Sequence, residues 1–274
     1  MKTQLFLPVI TYPDQTSAVM ISNAVALARN IDATLHAVAI DITIPPLNNP
    51  WSSMLIDVDK MVREAESTSE RHGERLLNIT GNLCASAGVT LERETIAIHQ
   101  TDASDVICGI ARHYDVTLLQ SAAPFEALSE AIVFGSGRPV MLFPDQAYSG
   151  RIEHVAVAWD GSRAAARALG DATLFIGAAS RVSIFYVVDE KPLGEDVGRR
   201  VFDALKSRGI EAEAHAIYRH ERPIGDVLQA KAVEFGADLL VMGGFGHSRF
   251  REFILGGATK DALDAPLLPI LMSH

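Results

Sequence analysis

The chain has 274 residues, of which 48% are hydrophobic and 21% charged, and its formal net charge at pH 7 is −10. This composition excludes disordered, collagen-like and low-complexity proteins. The acidic balance argues against a nucleic-acid or anionic-membrane partner, since neutralising phosphates requires clustered Lys and Arg. The two cysteines, Cys84 and Cys108, cannot form a disulfide framework or a four-thiolate zinc site. We interpret them as reduced core thiols, with one bridge between them as the alternative.

The first apolar run, residues 5–10, follows Met1-Lys2-Thr3 and is interrupted by Pro8. It is too short for the apolar region of a signal peptide, and no small-residue cleavage site follows it. Elsewhere no apolar run approaches the roughly 18 to 20 residues that span a bilayer. We therefore predict that this run is the first β-strand and that the protein is cytoplasmic.

The first half continues with alternating helices and strands, but it also carries an additional segment around Pro45-Pro46. That segment leads into a long helix predicted from about Asp57 to Ala87. A helix near Asp105 is followed by a buried strand at 116–120, and a final strand follows Pro139. The apolar stripe of the long helix is typical of a core-facing surface.

The second half shows the same alternation without the additional segment. Its apolar and β-branched runs predict strands at 155–158, 182–188, 211–217, 239–242 and 267–272. Helices are predicted from Ser162, from Gly194 to Ser207, and after Pro223, a residue that the first turn of a helix tolerates. The two halves therefore read as copies of one unit.

Direct comparison of the halves supports this repeat, at offsets that shift along the chain. Asp105-Val106 corresponds to Asp226-Val227 at an offset of 121, residues 139–142 to 269–272 at 130, and Thr34-Leu35 to Arg181-Val182 at 147. The first copy thus carries 26 extra residues within 41–90, and the second copy nine extra residues between its fourth and fifth strands. A polar stretch at 148–150 separates two predicted domains, 1–147 and 151–274.

Alternating strands and helices of this length predict an α/β fold, a parallel sheet with helices on both faces. In such open sheets, ligands bind beyond the carboxyl ends of the strands, where the strand order reverses. Two sequence features of the second copy fall at those ends. One is a glycine-rich stretch after the strand at 239–242, and the other is Asp160, which follows the strand at 155–158.

The glycine-rich stretch has the pattern G-x2-G-x9-G, formed by Gly243, Gly246 and Gly256. Glycines allow positive φ and close backbone approach, and successive N–H groups can bind phosphate oxygens. A helix start near Thr259 would add a positive dipole end. No Walker A motif is present, and Arg249 occupies the third glycine position of a dinucleotide fingerprint. A phosphate-binding loop is favoured, with a plain packing turn as the alternative.

Asp160 can accept hydrogen bonds from a ribose or a base, although Asp is also favoured in turns and at helix starts. With this constellation, the sequence resembles the universal stress protein family in its tandem two-domain form, over nearly the whole chain. The resemblance implies two flavodoxin-like, adenine nucleotide alpha hydrolase-like domains, each with five parallel strands in the order 3-2-1-4-5. It also implies that the domains pack as a pseudo-dimer, with their final strands as candidates for the contact.

The same resemblance implies a nucleotide site in the second domain. Asp160 matches the family aspartate, Val187 the residue that packs on adenine, and Met242 the residue before the first glycine. Gly257 departs from the family, which usually has Ser or Thr there. The candidate nucleotide-binding residues are Trp159, Asp160, Val187, Met242, Gly243, Gly246, His247, Gly256, Gly257, Ala258 and Thr259. The alternative for His247 is an exposed loop histidine without a ligand.

The first copy departs much further from the family pattern. Pro13 stands at the position aligned with Asp160, with Asp14 one residue later, and Ser121 and the three residues after it replace the glycine motif. We therefore predict a degenerate nucleotide site in the first domain. It is expected to hold an apolar ligand or to serve as a partner surface for the second copy.

The resulting hypothesis is a stress-response regulator that binds ATP or AMP, with or without Mg, in its second domain. The expected partners are this nucleotide and a regulatory protein, with an internal pseudo-dimer or a homodimer as the assembly. The alternative is a scaffold that binds no nucleotide. A slow ATPase ranks below both. The sequence indicates no general base near the loop, and it has no match to the Lys, Mg-binding Ser/Thr and Asp that phosphoryl transfer uses. No catalytic or metal-ligating residues are predicted.

Overall fold

The computed structural model describes residues 2–45, 58–121, 123–189, 197–244 and 265–274. Its contacts divide the chain into two compact units. Unit 1 comprises 1–118 and 146–150, and unit 2 comprises 119–145 and 151–274. The helix and strand that end the first copy of the repeat therefore pack within unit 2. The predicted division into 1–147 and 151–274 stays a prediction about the repeat.

Unit 1 is built from a parallel sheet in the order β3-β2-β1-β4, and its helices connect these strands. Its strands are β1 (Gln4–Ile10), β2 (Thr34–Thr43), β3 (Thr90–His99) and β4 (Val116–Gln120), of which β4 continues into unit 2. Its helices are α1 (Ala18–Asn30), α2 (Val58–Ala87) and α3 (Ala103–Ala111). The long predicted helix is thus confirmed as α2 over the described residues.

Unit 2 is built from strands in the order β5-β10-β9-β6-β7-β8. Its strands are β5 (Val140–Phe143), β6 (His154–Ala158), β7 (Arg181–Val187), β8 (Ala212–Ile217), β9 (Leu239–Gly243) and β10 (Ile270–Ser273). Its helices are α4 (Glu126–Gly135), α5 (Arg163–Asp171), α6 (Thr173–Ala178), α7 (Val197–Lys206) and α8 (Ile224–Glu234). The predicted last strand is shorter than expected, since the N–H of Leu267 donates to the Gln229 side chain at 2.8 Å instead of to a neighbouring strand.

Each copy of the repeat has the predicted strand order 3-2-1-4-5. The second copy runs β8-β7-β6-β9-β10, and all of these neighbours pair in parallel. In the first copy, β5 follows β4 in the sheet order, and the N–H of Ser121 donates to the Phe143 carbonyl at 3.0 Å. β5 and β10 pair antiparallel, with Met141 opposite Leu271, which confirms the predicted contact between the final strands of the two copies.

The inner strands are almost fully buried because apolar residues occupy both of their faces, as in other parallel sheets covered by helices, whereas the outer strands β3 and β8 are mostly exposed. Cys84 and Cys108 are both free and buried, which confirms their interpretation as core thiols. Burial raises the pKa of the Cys84 thiol to about 11, so it remains protonated at neutral pH. Within the described ranges, none of the helices has the length and apolarity needed to cross a membrane.

Candidate functional site

The candidate site lies at the carboxyl ends of three neighbouring strands of unit 2. The order β9-β6-β7 places β6 between the other two, and the chain leaves β6 toward β7 on one side and returns to β9 on the other. That reversal makes the edge a topological switch point, where open α/β sheets form a crevice. Trp159, Asp160, Val187, Met242 and Gly243 are the predicted site residues that the structure places there.

Asp160 begins the connection from β6 to α5. The backbone N–H of Trp159 donates to the Phe185 carbonyl at 2.8 Å, which extends the pairing of β6 and β7 by one residue. Asp160 then leaves the sheet, and its Oδ1 accepts a hydrogen bond from the Ser162 N–H at 2.9 Å. Gly161 has a φ of +73°, a conformation that glycine adopts without steric cost. The exposed Asp160 carboxylate therefore holds a turn, which was the local role expected for an isolated Asp.

The same turn starts helix α5. The Ser162 side chain accepts a hydrogen bond from the Ala165 N–H at 3.1 Å and so acts as the N-cap. An N-cap of this type satisfies one of the N–H groups that the first helical turn leaves unpaired. As a result, the first turn of α5 is fixed directly beside the end of β9.

Gly243 is the residue at which β9 meets α5. A Cβ added at Gly243 would lie 2.5 Å from both the Ala164 carbonyl carbon and the Ala165 nitrogen. Real Cβ atoms do not approach backbone atoms this closely, so this contact requires glycine whether or not a ligand binds. The first glycine of the predicted motif is therefore explained by helix packing, which was the alternative interpretation of the motif.

Gly244, the next residue, is held by the end of the chain. Its N–H donates to the Ser273 carbonyl at 2.7 Å, and its carbonyl accepts a hydrogen bond from Nδ1 of His274 at 3.0 Å. The His274 ring meets the Phe134 ring of α4 edge-on, with ring centroids 5.0 Å apart. Both backbone polar groups of Gly244 are therefore paired with the last two residues of the chain.

The two predicted apolar contacts, Val187 and Met242, are buried at the same edge. Val187 ends β7 opposite Ile217 of β8, and Met242 pairs with Met272 of β10. Their exposed fractions are 8% and 4%, respectively. Both are apolar, as a surface that packs on a base requires, and Met242 lies mainly within the sheet core.

The remaining predicted site residues lie outside the described residues. They are Gly246, His247, Gly256, Gly257, Ala258 and Thr259. Their assignment to the site therefore stays a prediction from the sequence. Across the residues whose placement is described, no group of three or more His, Cys, Asp or Glu side chains is arranged to hold a metal ion.

The sequence did not predict a pair of hydrogen bonds that joins the segments following β7 and β8. The Asp189 carboxylate accepts hydrogen bonds from the backbone N–H groups of Arg219 and His220, each at 2.9 Å. These bonds, chiefly the one from Arg219, lower the pKa of Asp189 below its usual value. His220 and Glu221 have positive φ, and the exposed Tyr218 ring stacks on the His220 ring at 5.9 Å. Asp189 and its partners are about thirty residues apart in the sequence, so no local sequence pattern indicates these hydrogen bonds.

The corresponding edge of unit 1 is closed by helix α2. The Thr11 hydroxyl lies 2.6 Å from both the Ile40 carbonyl, to which it donates, and the Ser69 hydroxyl. Ser69 in turn accepts a hydrogen bond from the Ile42 N–H at 2.9 Å. His72 of α2 also lies 2.9 Å from the Thr11 carbonyl through Nδ1, which donates. Polar groups at the ends of β1 and β2 are therefore paired with side chains of α2.

Asp41, at the end of β2, is the exception in this cluster. Its exposed fraction is 8%, and its Oδ1 is buried without a hydrogen-bond partner. A Cβ added at Gly73 of α2 would lie 2.7 Å from that oxygen, so a larger residue there would have to displace the Asp41 carboxylate. Burial raises the pKa of Asp41, and the nearby charges of Glu70 and Glu74 raise it further.

The fold has counterparts among solved structures. A universal stress protein from Archaeoglobus fulgidus DSM 4304 matches with a TM-score of 0.72 and 19% identity, covering 98% of this chain and 95% of that chain. The fold is the universal stress protein fold, in two tandem copies. A functionally unknown protein from Pseudomonas aeruginosa PAO1 matches with a TM-score of 0.56 and 14% identity, covering 98% of this chain and 92% of that one.

These likenesses confirm the resemblance that the sequence suggested, at the level of the fold. No protein-family model and no curated protein matches the chain. The universal stress protein fold accounts for the doubled 3-2-1-4-5 strand order. The function of the site must be argued from its own residues.

Proposed function

We propose that the protein is a cytoplasmic stress-response regulator that binds one adenine nucleotide, ATP or AMP, at the carboxyl ends of β6, β7 and β9. The observation that carries the proposal is the contrast between the two edges. In unit 1, α2 occupies the strand ends with hydrogen bonds, whereas in unit 2 an exposed carboxylate and an unpartnered indole N–H lie at the reversal point. A crevice of this kind is where open α/β sheets bind ligands.

In this proposal, each strand end contacts a different part of the nucleotide. Val187 supplies an apolar contact for the adenine, and Asp160 accepts hydrogen bonds from the sugar or the base. Gly243, Gly246 and Gly256, with the residues that follow, provide N–H groups for the phosphates. A divalent cation such as Mg would accompany the phosphates of ATP, with the phosphate oxygens as its ligands.

Regulation through binding, without turnover, is the form of activity that the residues support best. The described residues at this edge supply two carboxylates, Asp160 and Asp189, and both already accept backbone hydrogen bonds within the protein. Phosphoryl transfer uses several positioned charges and a base or water-orienting group. We therefore propose that nucleotide occupancy is sensed by a protein partner, with any hydrolysis slow.

Quantifying the bound nucleotide tests the proposal directly. The protein is purified without added nucleotide and denatured, and the supernatant is analysed by chromatography with mass detection, followed by titration calorimetry with ATP and AMP. We expect about one adenine nucleotide per chain. Two per chain would contradict a degenerate first copy. None, together with no heat of binding at millimolar ATP, would overturn the proposal.

Two variants locate the site. Asp160→Asn keeps an oxygen that accepts from Ser162 but removes the charge, so it should fold normally and bind ATP about tenfold more weakly. Asp14→Asn is the matched control, since Asp14 is the exposed aspartate nearest to the aligned position of the first copy. It should leave the affinity unchanged. Asp160→Ala with Gly246→Val should abolish binding.

A scaffold that binds no nucleotide is the second candidate, and one observation favours it. Gly243 and Gly244 are both explained by contacts within the protein, namely the backbone of α5 and the end of the chain. A protein without bound nucleotide and without a thermal shift in ATP, but with a stable partner complex, would support the scaffold.

A further inference from the structure

The inference concerns the indole N–H of Trp159. Within the described part of the chain, five buried side-chain polar atoms lack a hydrogen-bond partner: Asp41 Oδ1, Thr117 Oγ1, Trp159 Nε1, His215 Nε2 and Ser273 Oγ. A hydroxyl can rotate and an imidazole can change its tautomer, but an indole N–H can only donate. A buried donor without a partner costs about 1–3 kcal/mol, so native proteins rarely keep one without a reason.

Trp159 lies where a ligand would supply the missing acceptor. Its backbone forms the last hydrogen bond between β6 and β7, to the Phe185 carbonyl. The next residue, Asp160, leaves the sheet and presents its exposed carboxylate. The half-buried Trp159 therefore ends the strand that lies at the centre of the switch point.

The order of the strands indicates which part of a nucleotide would meet this residue. β6 lies between β9, whose end leads into the glycines, and β7, whose end carries Val187. Neighbouring strands are about 4.8 Å apart, which is close to the spacing between successive parts of a nucleotide. With phosphates beyond β9 and adenine beyond β7, the ribose lies beyond β6.

We propose, resting on the nucleotide site proposed above, that the indole N–H of Trp159 donates a hydrogen bond to a ribose hydroxyl oxygen and makes the site selective for ribonucleotides. The sugar hydroxyl accepts from Trp159 through a lone pair and donates its own proton to the Asp160 carboxylate. Both polar groups of the strand end are then paired by one hydroxyl. A deoxynucleotide would leave the buried donor unpaired.

The test combines one variant with three nucleotides. Trp159→Phe keeps a ring in the same place but removes the N–H. Calorimetry is performed on the wild type and the variant with ATP, 2′-deoxy-ATP and 3′-deoxy-ATP. For ATP, we expect the variant to bind about five- to tenfold more weakly. For the analogue that lacks the contacted hydroxyl, the variant and the wild type should bind equally.

The outcomes separate this inference from the proposed function. Equal loss of affinity for all three nucleotides, or no loss for any, overturns the role of Trp159 while leaving the nucleotide site in place. Absence of ATP binding by the wild type overturns both. A large fall in the melting temperature of Trp159→Phe with unchanged discrimination would assign Trp159 to packing alone.

An independent measurement uses the small number of tryptophans. The chain has two, Trp51 and Trp159, so Trp51→Phe leaves Trp159 as the sole source of indole fluorescence. In that variant, we expect ATP to change the emission of Trp159 with the dissociation constant found by calorimetry. Saturating ATP that binds by calorimetry but leaves the emission unchanged would contradict a direct contact.

Discussion

The two copies of the repeat end their first two strands in opposite ways. At the ends of β1 and β2, helix α2 passes over the edge and its Ser69 and His72 pair with Thr11 and the strand backbone. At the ends of β6 and β7, Asp160 is exposed and the Trp159 indole N–H has no partner. One edge is closed by the protein itself, and the other retains polar groups that a ligand can use.

The difference teaches that two copies of one fold can pair the polar groups at their strand ends in different ways. The first copy carries the extra residues that lead into α2, and Ser69 of that helix pairs with the Thr11 hydroxyl and the Ile42 N–H. Buried polar groups must find partners, either within the chain or outside it. The unpartnered buried atom is a carboxylate oxygen of Asp41 at the first edge and the indole N–H of Trp159 at the second.

The largest predicted effect concerns the contact between β9 and α5. Gly243→Ala places a Cβ 2.5 Å from the backbone of Ala164 and Ala165, so the helix must shift. We expect a loss of about 3 kcal/mol in the free energy of unfolding, at the upper end for overpacked sites. Urea unfolding followed by circular dichroism measures it.

The matched control lies on α5, the helix that Gly243 contacts. A Cβ at Gly170 of α5 meets no atom within 4 Å, so Gly170→Ala should be neutral or stabilise by about 0.5–1 kcal/mol. Equal unfolding midpoints for Gly243→Ala and Gly170→Ala would refute the packing explanation of the first motif glycine.

The second prediction applies the same reasoning to unit 1. Gly73→Ala brings a Cβ within 2.7 Å of Asp41 Oδ1 and 3.3 Å of the Ala39 Cβ, a less crowded site than Gly243 because both of these neighbours are side-chain atoms. We expect a loss of about 2 kcal/mol in unfolding free energy. Combining it with Asp41→Ala should recover much of this loss, because the obstructing oxygen is then absent.

Gly81→Ala on the same helix provides the comparison for that measurement. Its Cβ would lie 3.7 Å from an Arg93 nitrogen, an ordinary contact, so the change should be neutral or stabilising. If Gly73→Ala also proves neutral, α2 does not pack tightly over the end of β2, and the proposed closure of the first edge is wrong.

The third prediction tests what the two copies share. Ser17 and Ser162 both cap the helix that follows the first strand, with hydrogen bonds of 3.0 and 3.1 Å to backbone N–H groups. Replacing either with Ala should cost about 1 kcal/mol of unfolding free energy. Ser86→Ala, at an exposed position within α2, should change it by less than about 0.5 kcal/mol. Unequal costs at the two caps would show that the copies differ here as well.

The smallest effect is a trend with pH. Burial, followed by Glu70 and Glu74, raises the pKa of Asp41 above its unfolded value. The stability from its protonated form is fully present below the unfolded pKa and is lost as the pH rises through the folded pKa. Asp41→Asn avoids this loss, so its stability relative to the wild type should increase from pH 4 to pH 7. A difference independent of pH would contradict the assignment.

Much of the architecture could be predicted because its signals are local. Apolar runs such as 239–242 and the Ala-rich start of α5 after Ser162 have one compatible secondary structure, and their repetition indicates two copies. Asp160 was correctly expected after the first strand of its copy. The sequence could not decide whether Asp160 holds a turn or contacts a ligand, because a single Asp after a strand suits both roles.

The features that distinguish the two edges could not be predicted, because they depend on distant partners. Nothing near Thr11 indicates that Ser69 lies against it, and nothing near Asp189 indicates the N–H groups at 219 and 220. The explanation for glycine at position 243 also differs between the sequence and the structure. Its spacing suggested a phosphate contact, whereas the structure supplies a steric reason of its own.

By itself, the sequence determined the fold class, the repeat and the strands whose ends carry polar residues, since periodicity and turn chemistry act over a few residues. Only the tertiary structure decided which of those polar groups find partners inside the protein. Hydrogen bonding and close packing act between residues that folding brings together, such as Asp41 with Gly73 or Gly243 with Ala164. The unpaired N–H of Trp159 is therefore a property of the folded chain.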